Sequence, residues 1–289
     1  MTTTVDIIAR TRKKAGPRRS AAASIGVSVG AAALFLSVGV ALLGPLLAPE
    51  DPVAISGRPR LGPSSEHLLG TDQLGRDLLS RVLHGGWSVI AVPTAATLVA
   101  FGVGAAIGVW TGLAGGRRDV VTSRAVDVLI SLPPLLMAIV FISAFGSSAV
   151  VLVGVTALFF VPRVVRVVRG TTAAVIASDY VAASRARGDS TAQILRRDVV
   201  PNISGQLVVE FGARLSNVVM FVATLNYLGL GVHPPQPSWG LMVAENTLLL
   251  RTNPLAALVP AALIAALAVG VSLVSDRVAE RLAVDVAAP

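Results

Sequence analysis

The 289-residue sequence is 54% hydrophobic and 14% charged, with a mean hydropathy of +0.75, a balance that excludes an ordinary soluble domain and implies several bilayer spans. A formal charge of +8 would suit nucleic acid in a soluble protein, but in a membrane protein an arginine excess marks cytoplasmic loops, so no nucleic-acid partner is expected. Without cysteine there is no disulfide, thiolate metal site or cysteine nucleophile.

A basic tail, residues 1–20, holds Arg10, Arg12, Lys13, Lys14, Arg18 and Arg19 and precedes an uncharged apolar run at 21–47. That run is longer than the apolar part of a secretory signal (about 7 to 15 residues), so a retained helix is expected. The external loop 48–86 is rich in Pro and Gly and turns amphipathic near Arg76 to Leu83. There an interfacial helix is expected along the outer bilayer surface, with Arg76 and Arg81 outward. The second span, 87–113, leads into a series of Gly104, Gly108, Gly112 and Gly116, a smooth face for close helix packing. The third, 126–145, has Asp127 at its start and Pro133-Pro134 inside. A bend follows, either a plain kink or an opening that lines a cavity, since freed carbonyls need new partners.

The fourth span begins at 148 and is short by 161 unless it continues through Arg163, Arg166 and Arg169. The fifth, 207–230, carries Glu210 and Arg214 four residues apart, on one face and able to pair. Charges at that depth are costly unless paired or facing a cavity, so structural pairing and a place near the inner end of a pathway are the two readings. After the fifth span, HPPQPSWG is stiff, with Trp239 suited to a membrane interface or an external protein contact. The sixth span, 254–274, leads to a tail at 276–289.

Six helices of about 20 residues fit a hydrocarbon core of about 30 Å. With the N-terminus inside, cytoplasmic segments hold 18 Lys and Arg and external loops hold 5, which favours cytoplasmic termini. The expected fold is an all-α membrane protein: a first helix, then a five-helix core over 87–275, with no internal repeat and no separate soluble domain.

One polar island, 179–202, reads DYVAASRARGDSTAQILRRDVVPN and falls on the cytoplasmic side. Asp179 is placed to cap a helix from Tyr180 to about Arg187, Gly188 suits the left-handed residue just past its end, and Ser190 with Gln193 makes a capping box for a second helix that Pro201 stops. The second helix sets Ile194 and Leu195 beside Arg196 and Arg197, a small apolar face that needs a partner surface. The residues alone leave two readings, a docking element or a solvated connector; a DNA-reading helix-turn-helix is disfavoured by four Arg against three Asp.

YVAASRARGDSTAQILRRDVVPN resembles the EAA-type cytoplasmic loop of ABC importer permeases, through Tyr180, Val181, Ala183, Arg185, Ala186, Gly188, Ser190, Ile194, Arg197, Pro201 and Asn202. Departures are Ala182 where the general motif has Glu, Ser184 where it has Ala, and Val200 where Leu is usual. HLLGTDQLGRDLLS (67–80) and LGLGVHPPQPSWG (228–240) resemble segments of the dipeptide/oligopeptide (DppC/OppC-like) branch, while Trp87 and Val222 depart from it. The resemblance implies a type I ABC importer permease in a bacterial plasma membrane, surrounded by lipid. It implies a second permease subunit, two ATP-binding subunits that bind ATP and Mg, and an extracytoplasmic substrate-binding protein. Tyr180, Ala183, Arg185, Gly188, Ser190, Ile194, Arg197 and Pro201 would couple to the ATPase subunits, and the cargo would be peptides, with nickel or another small solute as the alternative.

The sequence agrees on one point independently. Neither Lys13 nor Lys14 lies in a Gly-rich phosphate-binding loop, so no cofactor is expected in this chain and ATP hydrolysis must come from another. An enzyme is not expected: His67, His84 and His233 are scattered, and neither HExxH nor GxSxG occurs. A self-contained secondary transporter would need intramembrane acids for ion coupling, and only Glu210 offers one.

Overall fold

The computed structural model describes residues 17–287, with side chains from 28 to 280 except Ala279; Arg10, Arg12, Lys13 and Lys14 lie outside the described residues. The elements are α1 (Pro17–Leu47), α2 (Leu78–His84), α3 (Trp87–Ala114), α4 (Gly116–Ser131), α5 (Pro134–Phe145), α6 (Ala149–Ile176), α7 (Asp179–Ala186), α8 (Thr191–Ile194), α9 (Val200–Tyr227), α10 (Trp239–Glu245) and α11 (Leu255–Ala287). A π-helical turn, Leu195–Val199, joins α8 to α9. Two isolated bridges in the external loop are the β pairings among the described residues.

Five stretches are long and apolar enough to cross a membrane, and the pair α4 and α5 makes a sixth if counted as one broken span. The break explains itself. Leu132 is extended (ψ 132°) ahead of Pro133, which is itself extended (ψ 113°), and the axes of α4 and α5 differ by 82°. A residue before proline is driven from helical to extended backbone, and here two such steps follow one another. The expected bend inside one continuous third helix is therefore a full break, with α4 polar and α5 only 12 residues long.

Elsewhere the helices outrun their expected limits. α6 continues through Arg163, Arg166 and Arg169 to Ile176, so these three arginines belong to the helix and not to the loop after it. α11 runs without a break into the expected tail at 276–289.

Packing is organised by small residues. An added Cβ on Gly104, Gly108 or Gly112 of α3 would lie 2.7, 2.8 or 2.7 Å from the Cβ of Val164, Val168 or Thr172 of α6, so the two helices meet almost backbone to backbone. Gly116 does not share this face: it has φ +57°, opens α4 and has open space around its Cβ position. α9 lies against α3 and α6, α11 packs on α9, and α1 packs on α11, with Gly30 and Gly270 admitting Leu273 and Leu34 across that last seam. One apolar core, built around Val89, Trp239 and Leu267, joins α1, α2, α3, α9, α10 and α11. A second, built around Ala96, Phe160 and Val218, joins α3, α5, α6 and α9. Large apolar side chains such as Phe35, Leu46 and Val150 remain exposed, as suits surfaces that meet lipid or another subunit.

Gly108→Val should force α3 from α6, costing about 1 to 3 kcal/mol and lowering the melting temperature of the purified protein. Gly102→Ala, with open space at its Cβ position, should leave it unchanged.

Candidate functional site

The polar island folds as a compact knuckle between α6 and α9. Asp179 does not cap α7; Ser178 is the N-cap, in extended backbone, and Asp179 falls in the first helical turn, where a carboxylate favours the helix dipole. Gly188 has φ +87° and ends α7: its N–H donates to Arg185 O at 3.0 Å, and Asp189 N–H donates to Ser184 O at 3.1 Å. Ser190 and Gln193 form the expected capping box, at 3.3 and 2.7 Å.

Pro201 does not stop the second helix. It lies in the first turn of α9, and the helical path runs on from Thr191 to Tyr227. The wider π turn before it accommodates a ring that would otherwise collide with a carbonyl one turn earlier.

The apolar side of the knuckle is already satisfied within the chain. Val181, Ile194, Val199 and Ile203 are buried together, backed by Val109 and Leu113 of α3, Val175 and Ile176 of α6, and Leu207 of α9. Ile194 is thus an anchor, not an outward contact, because its own core takes the face expected to seek a partner. Tyr180, Ala183, Arg185, Gly188, Ser190, Arg197 and Pro201 all remain exposed. Behind them, Arg187 donates to Ser184 Oγ at 2.8 Å and to Asp189 at 3.2 Å. The result is a small polar surface, rich in arginine, held on an apolar footing between two long helices.

At the opposite end, the segment 67–80 is a buried clamp, and the expected interfacial helix with outward arginines is not formed. Arg76 is 6% exposed and Arg81 0%. Asp72 takes Arg76 Nε at 2.6 Å and faces Arg81 Nε at 3.5 Å, while Arg81 Nη2 reaches Glu245 of α10 at 2.8 Å. Gln73 donates to the Glu245 carbonyl. Asp77 caps α2 by accepting from Ser80 N–H and Oγ–H, both at 2.8 Å, and its other oxygen lies 3.1 Å from His67 Nδ1. Buried charges survive only when paired and hydrogen-bonded, as these are.

Trp239 is likewise no surface anchor. It is fully buried, its indole N–H donates to Val82 O at 2.8 Å, and its ring occupies space that a side chain at Gly86 would claim. External docking through Arg76 or Trp239 therefore has no accessible side chain to work with. Glu245 escapes sequence reasoning because its mate Arg81 lies 164 residues away; Asp72 and Asp77 have near mates, Arg76 and Ser80, and the alternation of Asp72, Arg76, Asp77 and Arg81 was the available signal.

Inside the bundle, Glu210 and Arg214 form the expected pair, Nε to Oε1 at 2.8 Å. Pro133 and Pro134 supply the α4–α5 break. Asp127 and Asp119 tie α4 to Arg166 and Arg169 of α6, at 2.5 and 2.6 Å. An apolar hollow of about 230 Å³ lies between α9, α10 and α11, lined by Met220, Thr224, Tyr227, Val243 and Ile264. Among the described residues no cluster of His, Asp and Glu is arranged to hold a metal.

Residues 104–285 match the family described as binding-protein-dependent transport system inner membrane component. The chain belongs to that family. It is 34% identical over 230 residues to the glutathione transport system permease protein GsiD of Pectobacterium atrosepticum, covering 79% of this chain and 76% of the relative. It is 33% identical over 219 residues to the di/tripeptide transport system permease protein DppC of Pseudomonas aeruginosa, covering 73% and 72%. With the dipeptide transport system permease protein DppC of Bacillus subtilis it shares 34% over 215 residues, covering 74% and 67%. Among solved structures it resembles a chain of the inward-facing MetNI methionine ABC transporter, with a TM-score of 0.59 at 19% identity over 71% of this chain and 96% of that one, a likeness of fold. This permease is a multi-pass inner membrane subunit of an ABC transporter, and ATP hydrolysis is carried out by partner subunits.

For the permease, Glu245→Ala should leave Arg81 short of a buried partner and cost about 3 kcal/mol. Trypsin added from the loop's side should then cut after the normally buried Arg76 or Arg81, whereas Glu66→Ala, at an exposed position, should leave those two bonds resistant.

Proposed function

We propose that this permease imports dipeptides or oligopeptides, forming the pathway with a second permease subunit. Two ATP-binding subunits dock on the knuckle at 179–202, and an extracytoplasmic binding protein delivers cargo to the opposite end. Both termini and the knuckle are cytoplasmic under this reading, in keeping with the excess of Lys and Arg on that side. ATP and Mg stay with the partner subunits.

The observation that carries the docking role is the division of the knuckle into a buried apolar footing and an exposed polar face. A mere connector needs no core of its own. Because Val109 and Leu113 of α3 and Val175 of α6 share that core, force applied to Arg185, Gly188 or Arg197 passes directly to two spanning helices. A displacement of the ATP-binding subunits thereby biases the bundle between its inward and outward states. The peptide cargo is supported by the relatives named for glutathione, di/tripeptide and dipeptide transport.

The test is ATP hydrolysis by the reconstituted complex. Peptide-loaded binding protein should stimulate it; a peptide panel without effect, alongside stimulation by a nickel complex, would overturn the cargo. Gly188→Val should preserve insertion and thermal stability to within about 1 to 2 kcal/mol, the strain of a left-handed β-branched residue, yet uncouple hydrolysis from transport. Normal coupled transport by that variant would count against the docking surface.

A further inference from the structure

Among the described residues, three arginines of α6 and α9 have a carboxylate partner and Arg163 of α6 has none. Arg166 pairs with Asp127, Arg169 with Asp119 and Arg214 with Glu210. Among the described residues, Arg163 has no carboxylate within ion-pairing distance. Its Nη1 donates to Phe159 O, and its guanidinium carbon lies 5.5 Å from the centre of the Phe160 ring. The charged groups that bear on it are Arg214 and Arg166, both cations.

The direction of the side chain matters as much as its isolation. By reaching back to the carbonyl four residues earlier, Arg163 turns away from the Ile176 end of α6 and towards its Ala149 end. Phe159 is ten residues from Ala149, about 15 Å along the helix, which sets the guanidinium near the middle of a hydrocarbon layer about 30 Å thick. An arginine that served lipid headgroups would extend to the nearer interface. This one points to mid-depth, is only partly buried and leaves other guanidinium nitrogens without a protein acceptor. A cation held there is expensive unless it faces a hydrated path or an anion. Arg214 stands at matching depth on α9, thirteen residues or about 20 Å from Tyr227, but its charge is already offset by Glu210, which leaves Arg163 as the cation open to an anion.

We infer that Arg163 receives the C-terminal carboxylate of the peptide as it crosses the membrane. The inference rests on the peptide reading above and identifies the part of the cargo recognised within the permease itself. A planar guanidinium with free N–H groups matches a carboxylate in shape and charge. The contact is transient: the backbone carbonyl of Phe159 and the Phe160 ring hold the side chain before the anion arrives and after it leaves.

The test uses the full complex with its binding protein and ATP-binding subunits, reconstituted both in zwitterionic vesicles and in vesicles containing anionic lipid. Uptake is measured for one peptide as the free acid and as the C-terminal amide. Arg163→Gln should slow the free acid about tenfold, the scale of one charge-assisted hydrogen bond, with little effect on the amide, and Arg163→Lys should recover part of the loss. The binding protein is the same throughout, so its own preference cancels when variant and wild type are compared. Equal losses for both peptides would signify a structural role or a carboxylate of the partner permease, and would overturn the inference. So would no loss for either, or a loss confined to anionic vesicles, which would identify a lipid phosphate as the ligand. Failure of the wild type to carry either peptide would instead strike the cargo reading first and this inference with it.

Discussion

The contact between α3 and α6 is the constraint on which the rest of the molecule depends. At Gly104, Gly108 and Gly112 the helices approach so closely that a single added carbon would collide with Val164, Val168 or Thr172. Lipid supplies no hydrophobic drive for helices to associate, so close van der Waals packing has to hold them. Two helices fixed in this way act as one body. α9 rests on both of them and α11 rests on α9.

Each end of that body carries a different device. At the knuckle, four buried aliphatic side chains fasten a polar surface to the ends of α3, α6 and α9. At the other end, Arg81 of α2 and Glu245 of α10 join elements separated by more than half the chain, and Trp239 plugs the gap beside Gly85 and Gly86. The first device is shallow and presents its charges outward to solvent. The second buries its charges against one another, as a closure that must stay shut requires. Between them, Glu210 and Arg214 are held by each other, whereas Arg163 rests on the Phe159 carbonyl and the Phe160 ring.

Much of this was legible before folding was considered. The glycine spacing marked the packing face, Gly188 marked the end of α7, and Ser190 with Gln193 marked the next helix start, because each depends on residues at most one or two turns apart. The misreadings share a physical origin. Arg76, Arg81 and Trp239 read as surface groups because their partners Asp72, Glu245 and Val82 O are recruited by loop folding and tertiary contact. Pro201 read as a stop because a proline's effect depends on the turn before it, and Leu195–Val199 is wider than an α-turn. Ile194 read as a docking contact because the cluster that buries it comes from helices on either side.

Sequence by itself determined the membrane class, the approximate places of the spans and the polar island between them. These follow from hydropathy and local capping, neither of which needs distant residues. Only the tertiary structure decided which charges are satisfied. Pairing is set by the three-dimensional distance between groups, and the chain brings Arg81 to Glu245 and Arg166 to Asp127 while leaving Arg163 beside other cations.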